Sequence, residues 1–313
     1  MRKYLFLALI TLLFFSFSPS TLAHDGWAQT NSPIIEVGET AYIELLFGNH
    51  TNEHASYRIE GTWNPDNSSV FVTAPTGDKI DITDTLFYTG ETAEGANEER
   101  IGVNNYYVSS FSSSTPGAYV ISVEGDAIFR DKRTLRSAKS FVAVSEVPIV
   151  SYVQDFTGFD KQVSPDRAEI VPLFNPAGIT PDQEVSVQVF IQGEPLADTE
   201  VSLVRRSTSD AERFTTDENG VITFTTGPAD YYLLRVKPST EESVEGEYEA
   251  TYYEATMSFV VQNGTGSSTA ELDTLISSDQ VQQGNSQTSP FLYVSIFLAL
   301  ALIASLIFKS RKK

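Results

Sequence analysis

Apolar residues recur with a period of two along most of this chain, and no long stretch carries the 3.6-residue period of an amphipathic helix. Over 40–47, Ala41, Ile43, Leu45 and Phe47 alternate with Thr40, Tyr42, Glu44 and Leu46, the pattern of a half-buried strand. Further strands are expected over 56–62, 69–73, 79–87, 105–110, 118–124 and 139–144, with turn formers such as Asn64-Pro65-Asp66-Asn67 and Pro75-Thr76-Gly77-Asp78 between them. Thr115-Pro116-Gly117-Ala118-Tyr119 has the look of the turn before the next-to-last strand of a sandwich. A second module starts near Asp182, with Val185, Val187, Val189 and Ile191 alternating over 184–191. Strands over 200–205 and 221–225, a turn and strand over 227–236, and a closing strand over 252–261 follow. Short strands at this spacing predict an all-β chain of two tandem antiparallel β-sandwich (Ig-like) domains, at 24–147 and 182–262, joined by a connector at 148–181. The second module by itself reads as a structural spacer.

The two ends read as export and anchoring signals. Residues 1–23 have a basic start (Arg2, Lys3), an apolar run from Tyr4 to Phe17 and small residues at a cleavage site, Thr21-Leu22-Ala23, so a signal peptide is expected to be cut before His24. Residues 291–308 are an unbroken apolar run long enough to cross a bilayer as one helix. The basic tail at 309–313 marks its cytoplasmic side. Residues 263–290, rich in Ser, Thr, Gln and Gly, read as a flexible stalk. The expected location is the cell membrane, with a single pass and the body extracytoplasmic.

All 41 acidic residues lie in 24–290, the body with its stalk, whereas Arg2, Lys3, Lys309, Arg311, Lys312 and Lys313 place part of the basic complement at the ends. This stretch is therefore more acidic than the −20 of the whole chain. Such a surface repels nucleic acid and raises the local cation concentration. With no cysteine, the chain has neither a disulfide scaffold nor a thiolate metal site.

The three histidines cluster at the start of the body, in Ala23-His24-Asp25-Gly26-Trp27 and in Phe47-Gly48-Asn49-His50-Thr51-Asn52-Glu53-His54. A mature amino-terminal histidine offers one metal two nitrogens, its α-amine and its ring Nδ1, once both are deprotonated. One or two more imidazoles, from His50 and His54, complete a nitrogen-rich set. Such a set favours Ni or Co, with Cu or Zn also suited, over Ca or Mg. Asp25, Glu44 and Glu53 are carboxylates that serve such a site as ligand or as partner to an imidazole N–H. The candidate metal residues are thus His24, His50, His54 and Asp25. The alternative is a chance cluster of exposed histidines. Trp27 reads as core or lid rather than ligand. No Ser/His/Asp set, cysteine nucleophile or phosphate loop is present, so an enzyme is not expected.

The start "AHDGW", followed by "VGET" and "LLFGNH", resembles an extracytoplasmic family of unknown function described as the substrate-specific region of nickel uptake and as nickel transport subunit-like. Gly193–Val201 and Thr216–Gly220 are similar to its later module, and the resemblance spans roughly 24–262. Asn49 stands between Gly48 and His50, one residue more than the family pattern has. The resemblance implies a metal-binding accessory protein whose partners are the membrane subunits of an energy-coupling-factor-type nickel or cobalt transporter. A copper-binding surface protein and a metal-free Ig-like adhesion or scaffold protein are the competing functions.

Overall fold

The computed structural model describes residues 25–48, 63–90 and 105–263. Their fold is all-β, and every described strand belongs to one folded unit. The expected signal peptide, stalk and membrane helix lie outside the described residues, as does the strand expected over 56–62. Among the described residues no helix is long and apolar enough to cross a membrane.

Three sheets build the unit from the described residues. The first has the order β1 (Asp25–Thr30), β3 (Thr40–Gly48), β7 (Asn105–Ser112), β6 (Phe87–Gly90). The second is ten-stranded and runs β14 (Ala211–Thr215), β13 (Glu200–Arg205), β16 (Asp230–Val236), β18 (Ala250–Val261), β9 (Lys132–Ser145), β8 (Gly117–Phe129), β4 (Ser68–Thr73), β5 (Lys79–Asp81). Two short strands join it at the side, β2 (Ile34–Glu36) on β9 and β17 (Ser239–Thr240) on β18. The third sheet gathers β10 (Ala168–Pro172), β12 (Glu194–Pro195) and β15 (Val221–Thr225) around β11 (Glu184–Ile191).

The two modules expected in tandem therefore share their main sheet. The last strand of the first, β9, pairs in parallel with the last strand of the second, β18, from Ala250↔Lys132 to Met257↔Lys139. Strand order is mirrored about that seam: β9-β8-β4-β5 on one side, β18-β16-β13-β14 on the other. A tyrosine marks the same place in each half. Tyr119 Oη on β8 donates to Thr115 O at 2.8 Å, and Tyr232 Oη on β16 donates to Pro228 O at 2.9 Å.

Alternation explains why the seam strands are buried on both faces. On β8, Tyr119, Ile121 and Val123 point into the core beneath the first sheet, whereas Ala118 and Val120 point into the core beneath the third. On β9, Ala138, Val142 and Val144 take the first core, and Leu135, Phe141 and Ala143 the second. Strands covered on both sides lose the polar alternation of a surface strand.

The stretch expected as a connector is part of the body. It contains a helical turn, α1 (Val150–Val153), and β10, and Phe159 packs edge-on against Phe141 with ring centres 5.9 Å apart. Charged groups pin it. Lys139 Nζ on β9 lies 2.6 Å from Glu169 on β10, with the side chains 4% and 2% exposed. Glu169 also accepts from the amides of Val163 at 2.8 Å and Ser164 at 3.3 Å. Burial pushes the Lys139 amine below the ordinary lysine range, against the pull of Glu169. Lys161 Nζ donates to Ala74 O and Pro75 O, and Arg167 to Asp126 and the Arg136 carbonyl.

Candidate metal site

The strand that follows His24 in the chain is enclosed along its whole length. All six residues of β1, Asp25 to Thr30, are buried. One edge of β1 pairs with β3 in the register Asp25↔Gly48 to Thr30↔Ile43. The other edge meets side chains of the second half. Thr256 Oγ1 on β18 donates to Gly26 O at 2.9 Å, and Ser258 Oγ donates to Ala28 O. These hydroxyls satisfy edge carbonyls that an unpaired strand leaves open. Trp27, 3% exposed, packs with Leu46, Val204 and Leu233. Gln29 accepts from Arg206 Nη1 at 2.5 Å and donates to Glu44 at 2.6 Å.

Asp25 is 1% exposed. Its carboxylate is paired with Arg235 and, at 2.5 Å, with Lys237 Nζ, both on or just after β16. A buried carboxylate with two cations is an anchor. Its charge is already compensated, which leaves little attraction for a metal ion of its own. Glu44 lies four residues up the strand from Gly48, about 13 Å at strand spacing, so it stands away from the Asp25 end.

Gly48 and Trp63 are the described residues on either side of 49–62, which carry His50 and His54 and lie outside the described residues. Gly48 has a φ of 140°, a conformation that residues with a side chain rarely adopt. Trp63 is 1% exposed and its Nε1 donates to Leu46 O at 2.9 Å, two residues before Gly48. Gly125 makes room for the indole, since a Cβ there would stand 3.0 Å from Trp63 Cζ3. Gly48, opposite Asp25, and Trp63, bonded to Leu46, thus both stand at the end of the first sheet at which β1 begins.

His24, His50 and His54 themselves lie outside the described residues, as does Glu53; Asp25 is the one predicted site residue that is described. Among the described residues no group of three or more His, Cys, Asp or Glu is arranged to hold a metal. Arg235, Lys237, Thr256, Ser258 and Arg206 were not expected around β1. A signal for the first two existed: Arg235 and Lys237 alternate across Val236 inside an apolar strand of an acidic body, where a cation needs a buried partner.

A family model for a domain of unknown function (DUF4198) matches residues 21–240. The chain belongs to this family. The match takes in β1 to β17 and stops before β18. No curated protein matches the chain. Among solved structures it is similar to a DUF4785 family protein from Legionella pneumophila, at 13% identity and a TM-score of 0.25, covering 67% of this chain and 51% of that one. The Yersinia pseudotuberculosis adhesin InvE matches at 13% identity and a TM-score of 0.18, over 75% of this chain and 58% of the adhesin. A Salmonella alpha-2-macroglobulin reacted with methylamine matches at 12% identity and a TM-score of 0.22, over 75% of this chain and 14% of that one. The DUF4198 chain thus spans about half the length of the first two of these proteins.

Proposed function

We propose that this DUF4198 protein is a membrane-anchored, extracytoplasmic metal-binding protein accessory to nickel or cobalt uptake. In this reading it hands the ion to the membrane subunits of an energy-coupling-factor-type transporter. The observation that carries the reading is the pairing of Asp25 with Gly48. Opposite α-carbons in an antiparallel pair stand about 4.5–5.5 Å apart, and each further residue is one step of about 3.8 Å. His24 precedes Asp25 in the chain, and Asn49 and His50 follow Gly48. The α-amine and Nδ1 of His24 supply two nitrogens, and His50 supplies a third. His54 is the fourth donor in this reading. Asp25, the neighbour of His24 in the chain, is fixed by Arg235 and Lys237. The two Ig-like halves form the platform, and the acidic surface gathers cations around it.

The test is amino-terminal sequencing of the exported protein, followed by calorimetric titration with Ni²⁺, Co²⁺, Cu²⁺ and Zn²⁺. One tight site that requires His24 supports the reading, and Ni²⁺ or Co²⁺ affinity in the range of transport supports uptake. A site that takes only Cu²⁺ tightly turns the reading to copper. An exported form that starts elsewhere, or no binding, removes it in favour of a metal-free scaffold.

A further inference from the structure

We propose that the tip of the β8–β9 hairpin is a lipid-binding wedge that enters the headgroup layer of a phospholipid bilayer. The two strands stay paired up to Phe129↔Lys132, and Arg130-Asp131 closes them in a two-residue turn with both residues at positive φ. The side chains carried out to this tip are apolar. Phe129 is 68% exposed, more than any other large apolar side chain among the described residues, and Ile128 beside it is 55% exposed. Successive strand residues point to opposite faces, so the tip is apolar on both sides. A protein or sugar partner covers one face of such a hairpin, whereas a lipid layer surrounds it. Tyr252, where β18 runs beside the tip, is a further exposed ring. Each of the two rings carries a cation: Arg130 lies 5.0 Å from the centre of Phe129, and Lys132 5.1 Å from that of Tyr252. A ring with a charge at its outer side suits the boundary of a bilayer, where the ring sinks toward the acyl chains and the charge stays with the phosphates. Acids flank the tip as well. Asp131 is in the turn, Asp126 stands 3.8 Å from Arg133, and the Glu-rich loop 241–249 reaches it where the Glu249 amide donates to Asp131 O. Attraction to anionic lipid is therefore not the driving force. Burial of Ile128 and Phe129 is, with Arg130 and Lys132 meeting the phosphates of neutral phospholipid.

The chain's own tryptophans, Trp27 and Trp63, are both buried, so an indole added at the tip can be read above them. The full-length Phe129→Trp chain is reconstituted in phosphatidylcholine vesicles, and its fluorescence is compared with that in the same lipid brominated on the acyl chains. The expected result is emission at shorter wavelength and a loss of intensity in the brominated lipid beyond that of the wild type. Tyr42→Trp, at an exposed position on β3, shows neither. Ile128→Ser added to Phe129→Trp weakens insertion on the order of tenfold, the size expected for one large apolar side chain, and most of the bromine quenching goes. The substituted side chains are exposed, so folding is not at stake. Equal emission of Phe129→Trp in plain and brominated lipid overturns the proposal. Equal quenching of Tyr42→Trp and Phe129→Trp also overturns it, because the lipid then meets the body without choosing the tip. A blue shift that grows with protein concentration and ignores bromine places a second copy of the chain on the tip, and overturns it as well.

Discussion

The two halves of the ten-stranded sheet have mirrored strand order, and the two faces of the seam between them, β9 and β18, are covered by different means. On one face lies the stretch from Val150 to Pro172, held by the buried Lys139–Glu169 pair and by Phe159 on Phe141. On the other face lies β1, held by hydroxyls on its carbonyls and by two cations on Asp25. The first seal closes a core. The second holds an edge strand without adding a strand to it. A sandwich on its own exposes the outer edge of its terminal strand. Here the neighbouring half supplies the missing partners, which is why the halves fold as one unit.

Removing one partner of the ionic seal has the largest expected effect. Lys139→Met leaves Glu169 charged and 2% exposed, and should cost about 3–5 kcal/mol in urea unfolding. Adding Glu169→Leu should recover most of that loss, because a buried pair replaced as a whole is near neutral. Thr256→Val and Ser258→Ala attack the other seal. Each orphans a buried carbonyl of β1 and should cost about 1–3 kcal/mol, with faster amide exchange confined to β1. If these losses equal those of a surface hydroxyl, the second seal is not one. Smaller still, Tyr119→Phe and Tyr232→Phe should each lose about 1 kcal/mol. Equal losses support the equivalence of the halves, and a loss in only one breaks it. Ni²⁺ affinity should rise with pH up to about 8 as the α-amine deprotonates, and an acetylated amino terminus should keep only the rise through the imidazole range, near about 6.5.

The second half was the more legible in sequence. The strands expected over 184–191, 200–205 and 221–225 have the ends observed for β11, β13 and β15, because Gly193 and Gly220 stand at the turns with positive φ. The first half and the expected connector hid three features. Residues 125–138 belong to the long hairpin of β8 and β9, whose turn uses Arg130 and Asp131 at φ of 50° and 61° where the usual signal is Asn-Gly. β1 shows no alternation because both of its faces are covered. β10 was concealed by Glu169, a charge that reads as surface until Lys139 is placed beside it. Of the candidate metal residues, Asp25 is described and is a buried carboxylate held by two cations, while the histidines lie outside the described residues. What was not visible was the anchoring of Asp25 by Arg235 and Lys237, 210 or more positions away in the chain and brought close only by the shared sheet.

The most direct measurement compares Ni²⁺ binding by the mature protein that begins at His24 with the same protein carrying one extra alanine before it. The extension keeps all three imidazoles and Asp25 but moves the α-amine off His24. The account predicts one tight site in the first protein and a loss on the order of 10–100-fold in the second. Equal binding by the two would contradict it.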